Sequence, residues 1–346
     1  MIPAHQTSRR NARMIRYATI GTGFITDSFI RGAAKSGEMK LAAVYSRTEE
    51  KGRDLARQHG EDVMIFTDLE KLAASPLIDA VYIASPNSMH APQAKLFLQH
   101  GKHVLVEKAA ASNAMELMEV LNLAEEKGLV FMEAMKSLTM PAYLVLKENL
   151  ERIGRIRKYV GIYCQYSSRY DRHKSGEPVN TFQRKFSNGA LMDIGIYCLY
   201  PLVDLFGEPK KIQAQATILE EGGVDGSGSM LLQYSGMEAA LLYSKISDSH
   251  LPSEIQGEKG SILIDRIGSP REITLILRDG TKEVLTPDTS KEDMVYEAQE
   301  FAKTIREKRS FSLINHRHLA QSVHKIMDEA RRQVGLSFPS DEPYRK

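Results

Sequence analysis

The first residues that could do chemistry lie near the amino terminus. Gly21-Thr22-Gly23-Phe24-Ile25-Thr26 follows the apolar run at 15–20 and opens a stretch of helical pattern. In a strand–turn–helix unit the first glycine makes the tight turn and the second lets the backbone approach a pyrophosphate. The helix amino terminus then offers amide hydrogens and positive dipole to that charge. The third position is Thr26, where the full fingerprint has glycine, so the loop taken alone also fits a packing turn. Its place at the first strand of an alternating series points to a dinucleotide. Gly21, Thr22, Gly23, Phe24 and Ile25 are therefore the expected phosphate-side residues.

The end of the second expected strand separates the two common dinucleotides. An NAD site usually has an acidic residue there, about twenty residues past the loop, accepting from the ribose hydroxyl. This chain has Val44-Tyr45-Ser46-Arg47-Thr48 instead. Ser46 can donate a hydrogen bond to a 2′-phosphate, and the Arg47 guanidinium can match its charge and geometry. The alternative is a solvated Arg47 that merely opens the next helix. NADP is the expected cofactor, with NAD the alternative.

These residues need a scaffold, and the first 135 residues supply one. Strand patterns at 15–20, 39–46, 63–66, 79–84, 103–106 and 129–133 alternate with helical patterns at 24–35, 49–59, 68–74, 88–100 and 113–127. That rhythm predicts an α/β Rossmann domain over 14–135, a doubly wound parallel sheet with helices on both faces. Beyond 155 the rhythm changes. Strand patterns at 156–167, 210–220, 228–235, 237–246, 252–256, 260–265 and 272–277 follow one another with few helices between, joined by turns such as Arg278-Asp279-Gly280. An α+β domain with a large, mostly antiparallel open sheet is expected over 136–346, closed by helices at about 291–308 and 315–335.

Bulk properties narrow the class. With 46 basic and 44 acidic residues the formal charge is only +2, which gives no electrostatic case for a nucleic-acid or membrane partner. The apolar stretch 189–207 is broken by Asp193, Pro201 and Asp204, a poor membrane span. Two cysteines, Cys164 and Cys198, are too few for a disulfide-stapled secreted fold, so a cytoplasmic location is expected. Neither cysteine stands in ligand spacing with a histidine, so no metal is expected. Residues 1–13 are polar and read as a disordered extension. Arg9-Arg10 lacks the apolar run that a twin-arginine signal requires.

Three further segments complete a pattern. They are Tyr82-Ile83-Ala84-Ser85-Pro86-Asn87 with His90, Gly101-Lys102-His103-Val104-Leu105-Val106-Glu107-Lys108, and Gly189-Ala190-Leu191-Met192-Asp193-Ile194-Gly195-Ile196-Tyr197. With the glycine loop, these resemble the glucose–fructose oxidoreductase/inositol dehydrogenase (Gfo/Idh/MocA) family, nearest its dihydrodiol dehydrogenase-like branch. The resemblance covers nearly the whole chain from Met14 onward. It implies that the family's Glu-Lys-Pro motif falls on Glu107-Lys108-Ala109, with the lysine near the nicotinamide ribose and the reacting carbonyl or alcohol. Its Asp-x-x-x-His motif falls on Asp193 and Tyr197, tyrosine replacing histidine as acid/base in this branch. Ser85, Asn87 and His90 flank the cofactor, and Lys136 takes a place where relatives often put an aromatic or arginine beside the nicotinamide. Ala109 departs from the usual proline.

The implied chemistry suits these residue types. In hydride transfer the cofactor carries the redox step, and the protein must orient the carbinol carbon and move one proton. A phenol with an ordinary pKa of about 10 is a poor base at neutral pH unless a cation stabilises its anion. Lys108 is the candidate cation, expected to lower the Tyr197 pKa and polarise the substrate oxygen. Asp193 and Tyr197 stand four apart, so a helix over 192–206 projects both from one face. Asp193 then either orients substrate or Lys108, or opens the helix. Pro201 cannot donate to the Tyr197 carbonyl, so a kink is expected there. His90 is either packed or a cofactor contact.

The resulting expectation is an NADP-dependent oxidoreductase of a sugar, polyol or related diol, a homodimer or dimer of dimers through the second sheet. Two alternatives share the scaffold: a non-catalytic dinucleotide or sugar sensor, and an enzyme that recycles a tightly bound cofactor.

Overall fold

A computed structural model of the chain describes residues 13–60 and 62–344. The expected extension over 1–13 lies outside those residues apart from Arg13. Strands β1 (Ile15–Ile20), β2 (Met39–Tyr45), β3 (Met64–Phe66), β4 (Ala80–Ile83), β5 (His103–Glu107) and β6 (Phe131–Ala134) form one sheet in the order β3-β2-β1-β4-β5-β6. Every neighbouring pair is parallel. Parallel neighbours need long crossovers. Helices α1 (Phe24–Ser36), α2 (Glu49–His59), α3 (Leu69–Ala74), α4 (His90–Gln99) and α5 (Ala114–Lys127) provide them. With helices on both faces the central strands are apolar throughout, and β4 is buried at every position. The order reverses between β1 and β4, so the glycine loop and Ser85 sit at the switch point where open α/β sheets bind ligands.

The second sheet has eight strands. They are β7 (Ile156–Cys164), β8 (Lys211–Ile218), β9 (Asp225–Gln233), β10 (Glu238–Ser244), β11 (Ser253–Gly257), β12 (Gly260–Ile264), β13 (Ile273–Leu277) and β14 (Lys282–Leu285), ordered β14-β13-β12-β11-β7-β10-β9-β8. Only β7 and β10 pair in parallel; the other neighbours are antiparallel, as the sequence led us to expect. Strand β14, the short half-exposed edge Lys-Glu-Val-Leu, was not foreseen. Nor were α6 (Lys136–Thr139), α7 (Pro141–Asn149) and α8 (Tyr170–Lys174). The expected strand 156–167 stops at Cys164, and α8 follows soon after.

Helices α9 (Ile196–Phe206) and α11 (Arg317–Gln333) cover one face of this sheet, over β7, β8 and β10. Helix α10 (Val295–Arg306) returns to pack on α1, where a Cβ at Gly32 would meet the Met294 backbone at 2.8 Å. Arg184–Phe206 is long and apolar enough to cross a membrane by composition, yet 72% of its most apolar window is buried inside the molecule. The single helix expected over 192–206 is instead a π-helical turn, Leu191–Gly195, leading into α9. The helix runs on through Pro201, so the departure from α geometry lies at its start. Buried Glu133 of β6 accepts from the Tyr200 hydroxyl of α9 and faces His324 of α11, which fixes α9 against the first sheet.

Candidate active site

The loop after β1 is built for a close approach. Gly21 has φ of +112°, and a Cβ there would lie 2.7 Å from the Ala84 carbonyl oxygen, so only glycine fits. A Cβ at Gly23 would meet no protein atom within 4 Å, so the bare backbone there faces open space. Helices α3 and α5 cap their own starts with Asp68 and Asn113, whereas α1 begins at Gly23 with no side-chain cap. Its first amides are thus left for an outside acceptor. Thr22, Gly23, Phe24 and Lys51 line a cavity of about 510 Å³ beside this turn, and Phe24 is 79% exposed. Ile25 turns inward and packs on the core. These features fit a dinucleotide pyrophosphate.

At the end of β2 the two expected residues divide. Ser46 is buried, and its hydroxyl accepts from the Thr48 amide at 3.4 Å. Arg47 is exposed and has no ion pair among the described residues, so its guanidinium is available. The segment after β4 is turned inward. Asn87 donates to the Ser187 carbonyl at 3.0 Å, and the Ser85 hydroxyl donates to Gln93 at 2.7 Å. The buried His90 ring meets the Ala109 carbonyl oxygen at 2.8 Å and that of Ser85 at 2.7 Å. Both ring nitrogens are used within the protein, so the packed role of His90 is the one its contacts fill. It ties the turn after β4 to the residue that follows Lys108.

Strand β5 delivers Glu107 and Lys108. Glu107 is buried and accepts from the Tyr82 hydroxyl at 2.6 Å. The Lys108 ammonium donates to the Asp193 carbonyl oxygen at 2.8 Å and to Oδ1 of the same residue at 2.6 Å. The ammonium of Lys245, just after β10, holds Oδ2. Burial pulls the Asp193 carboxyl upward, but the two ammoniums outweigh it and hold the group well below the usual carboxylate range. Burial alone pulls Lys108 down. Asp193 and Glu107 more than offset this, so Lys108 stays a cation.

Tyr197 lies one helical turn beyond Asp193, its ring centroid 5.4 Å from the Lys108 ammonium and 5.7 Å from the Tyr163 ring. No hydrogen bond joins Lys108 to its hydroxyl. The expected lowering of the phenol pKa is therefore corrected. Burial first, and the nearby Glu107 second, push Tyr197 well above the ordinary tyrosine value, and Asp193 takes the lysine charge. The helix-opening role that was open to Asp193 falls instead to Asp225, whose Oδ2 accepts from the Leu191 amide at 2.7 Å. Lys136 pairs with Asp293 at 3.3 Å, which also takes Arg271, so its ammonium is engaged within the protein.

Comparison with known proteins decides the lineage. Residues 15–135 match the model described as "Oxidoreductase family, NAD-binding Rossmann fold", and 146–263 match the "GFO/IDH/MocA C-terminal domain". The chain belongs to the Gfo/Idh/MocA family. It is 48% identical over 329 residues to scyllo-inositol 2-dehydrogenase (NADP(+)) IolU of Bacillus subtilis, covering 95% of this chain and 100% of that protein. It is 30% identical over 341 residues to mouse trans-1,2-dihydrobenzene-1,2-diol dehydrogenase, covering 95% and 99%. Levoglucosan dehydrogenase, solved with NADH and levoglucosan, superposes with a TM-score of 0.81 at 21% identity over 93% of this chain and 98% of that one. At that identity the likeness speaks for the fold.

As a Gfo/Idh/MocA protein the chain is an NAD(P)-dependent oxidoreductase acting on CH–OH groups. Two residues of the site had no signal in the sequence. Lys51 stands on the first turn of α2, and its place beside Gly23 depends on how α2 lies against α1. Lys245 reaches Asp193 only because β10 pairs in parallel with β7. The spacing Asp193-x-x-x-Tyr197 was visible, and the π-helical turn did not separate the pair.

Proposed function

We propose that this oxidoreductase uses NADP(H) to interconvert a carbinol and a carbonyl carbon of a sugar, polyol or related diol. In this reading the six-stranded half holds the dinucleotide and the eight-stranded half forms the substrate wall. The observation that carries it is the meeting of Lys108, from the end of β5, with Asp193 and Tyr197 at the start of α9. The name of the 48% identical relative supports both NADP and a polyol. Gly21, Thr22, Gly23, Phe24 and Ile25 would hold the pyrophosphate side, and Ser46 and Arg47 the 2′-phosphate. Ser85, Asn87, His90, Glu107 and Lys136 would shape the surrounding shell through the contacts described. When bound, the nicotinamide supplies the hydride or accepts it.

The protein's own part is electrostatic. The Lys108 ammonium polarises the substrate oxygen, and Asp193 orients that ammonium. Tyr197 is a neutral phenol whose hydroxyl has no hydrogen-bond partner among the described residues. In carbonyl reduction it gives its proton to the oxygen as negative charge develops there, while Lys108 polarises that same oxygen. Cys164 and Cys198 are both free thiols, which fits a reducing, cytoplasmic setting.

The test is a panel of inositols, sugars and diols with NADP or NADPH, followed at the nicotinamide absorbance band. Lys108→Met should reduce turnover by roughly 10²–10⁴-fold while NADPH affinity, read by fluorescence titration, stays close to wild type. Full activity in that variant would remove Lys108 from the mechanism.

A further inference from the structure

One charged side chain in the site belongs to neither the glycine loop nor the family motifs. Lys245 approaches Asp193 from the second sheet, and its ammonium holds Oδ2 while Lys108 holds Oδ1. The Lys245 side chain is 9% exposed, that of Lys108 13%, and that of Asp193 29%. The carboxylate is thus the most open of the three, with two nearly buried ammoniums behind it. Taking an ammonium out of water is costly, and Lys245 adds a second one on a carboxylate that Lys108 already holds. A fold that needed only a counterion for Lys108 would gain nothing from the second cation.

We propose that Lys245 is a positioning residue for the oxidoreduction: it holds the second oxygen of Asp193, so that the carboxylate keeps one orientation toward a substrate hydroxyl and Lys108 keeps an N–H free for the reacting oxygen. The proposal rests on the reading of Lys108 and Asp193 given above. Without Lys245, both oxygens of Asp193 are free to close on Lys108, and the ammonium is drawn away from substrate. Asp193 would also be easier to protonate. The groups that face it are Lys108 after β5, Lys245 after β10, Tyr163 on β7 and Tyr197 on α9. Of these, only the two lysines are positively charged.

Two measurements on the NADP-bound protein test this. The first is steady-state turnover of Lys245→Met, Lys245→Arg, Asp193→Asn and the Asp193→Asn/Lys245→Met double variant. We expect Lys245→Met to lose roughly a hundredfold in kcat, as a displaced catalytic group does, with the NADPH Kd unchanged. Lys245→Arg should recover most of that loss, and Lys245→Met should add nothing once Asp193 is Asn. The second measurement needs no turnover: the ¹³C resonance of the Asp193 carboxyl is followed against pH. It should titrate at higher pH in Lys245→Met than in wild type, and as wild type in Lys245→Arg.

Wild-type kcat in Lys245→Met, or an unchanged carboxyl titration, overturns the proposal. An additive loss in the double variant also overturns it, because Lys245 would then act independently of Asp193. If the wild-type protein turned over nothing in the panel, the functional reading would fail while the titration still judged Lys245.

Discussion

Arg47 is the clearest single-residue lever on cofactor choice. It is exposed, lacks an ion pair among the described residues, and follows the strand end at which the ribose of a dinucleotide is read. Charge-assisted hydrogen bonds contribute about 1.5–3 kcal/mol. Arg47→Ala should therefore weaken NADPH by roughly 10–100-fold and leave NADH nearly unchanged, with the difference shrinking at high salt. Equal losses for both nucleotides in a fluorescence titration would assign Arg47 to the fold and not to the 2′-phosphate. This residue was legible in the sequence because strand order places the second strand's end beside the glycine loop in any Rossmann unit. Gly21 was legible for a related reason, since a turn that brings a Cβ against the Ala84 carbonyl leaves no other choice. Lys245 was not legible. A lone lysine ending an ordinary strand carries no motif, and only the register of β10 on β7 brings it to Asp193. The direction of the Tyr197 shift was misread because sequence shows which charges are near but not how deeply a phenol is buried.

At the scale of elements, the segment that carries Asp193 and Tyr197 is held at its start by Asp225 of β9. Gly189 has φ of +138°, and a Cβ there would fall 2.0 Å from Asp225 Oδ1, so the turn closes directly over this carboxyl. Oδ2 accepts from the Leu191 amide, and Oδ1 is buried without a partner among the described residues. Burial pushes Asp225 up to about 7, with the Leu191 amide working the other way. A carboxyl that binds its proton more tightly when folded contributes stability fully present below its unfolded pKa and lost as pH rises through the folded one. The protein should accordingly lose stability between about pH 4 and pH 7. Asp225→Asn keeps an acceptor for the Leu191 amide and has no charge to bury, so its melting temperature should exceed wild type at pH 8, by an amount equivalent to about 1–3 kcal/mol. The two should converge near pH 4.5. Parallel melting curves across that range would mean Asp225 is ionised at no cost. The parallel strands were predictable because each is an apolar run between amphipathic helices. Helix α7 was missed although Pro141 at its first position is a helix-start signal, since its apolar surroundings hide the 3.6-residue period. The π-helical turn had no local signature, being set by Asp225 and by Tyr243 packing on Gly195.

At the scale of the whole molecule, the two faces of the second sheet are unlike. One lies under α9 and α11, and the other has no covering element among the described residues. An open antiparallel face normally carries polar side chains. Here Leu231 is 60% exposed and Leu242 42% exposed, with Val160, Ile162 and Ala240 also on that side. Both charge signs stand among them, Lys158 pairing with Glu238 at 2.8 Å, so the face can match a rotated copy of itself. Eight strands at the usual spacing give a face of about 900 Å², close to what one partner contributes to a stable interface. We propose that a second copy of the chain covers this face in an isologous dimer. Sedimentation of the purified protein at micromolar concentration should then give twice the 38.8 kDa chain mass. Leu231→Arg should shift it toward the monomer, because the dimer would have to bury a charge with no partner on that face. Lys108, Asp193 and Tyr197 lie on the covered side, so NADPH affinity should survive that change. A wild-type protein that sediments as a monomer would leave this face to water. A variant that loses NADPH binding together with its dimer would mean that the sheet contact also supports the cleft.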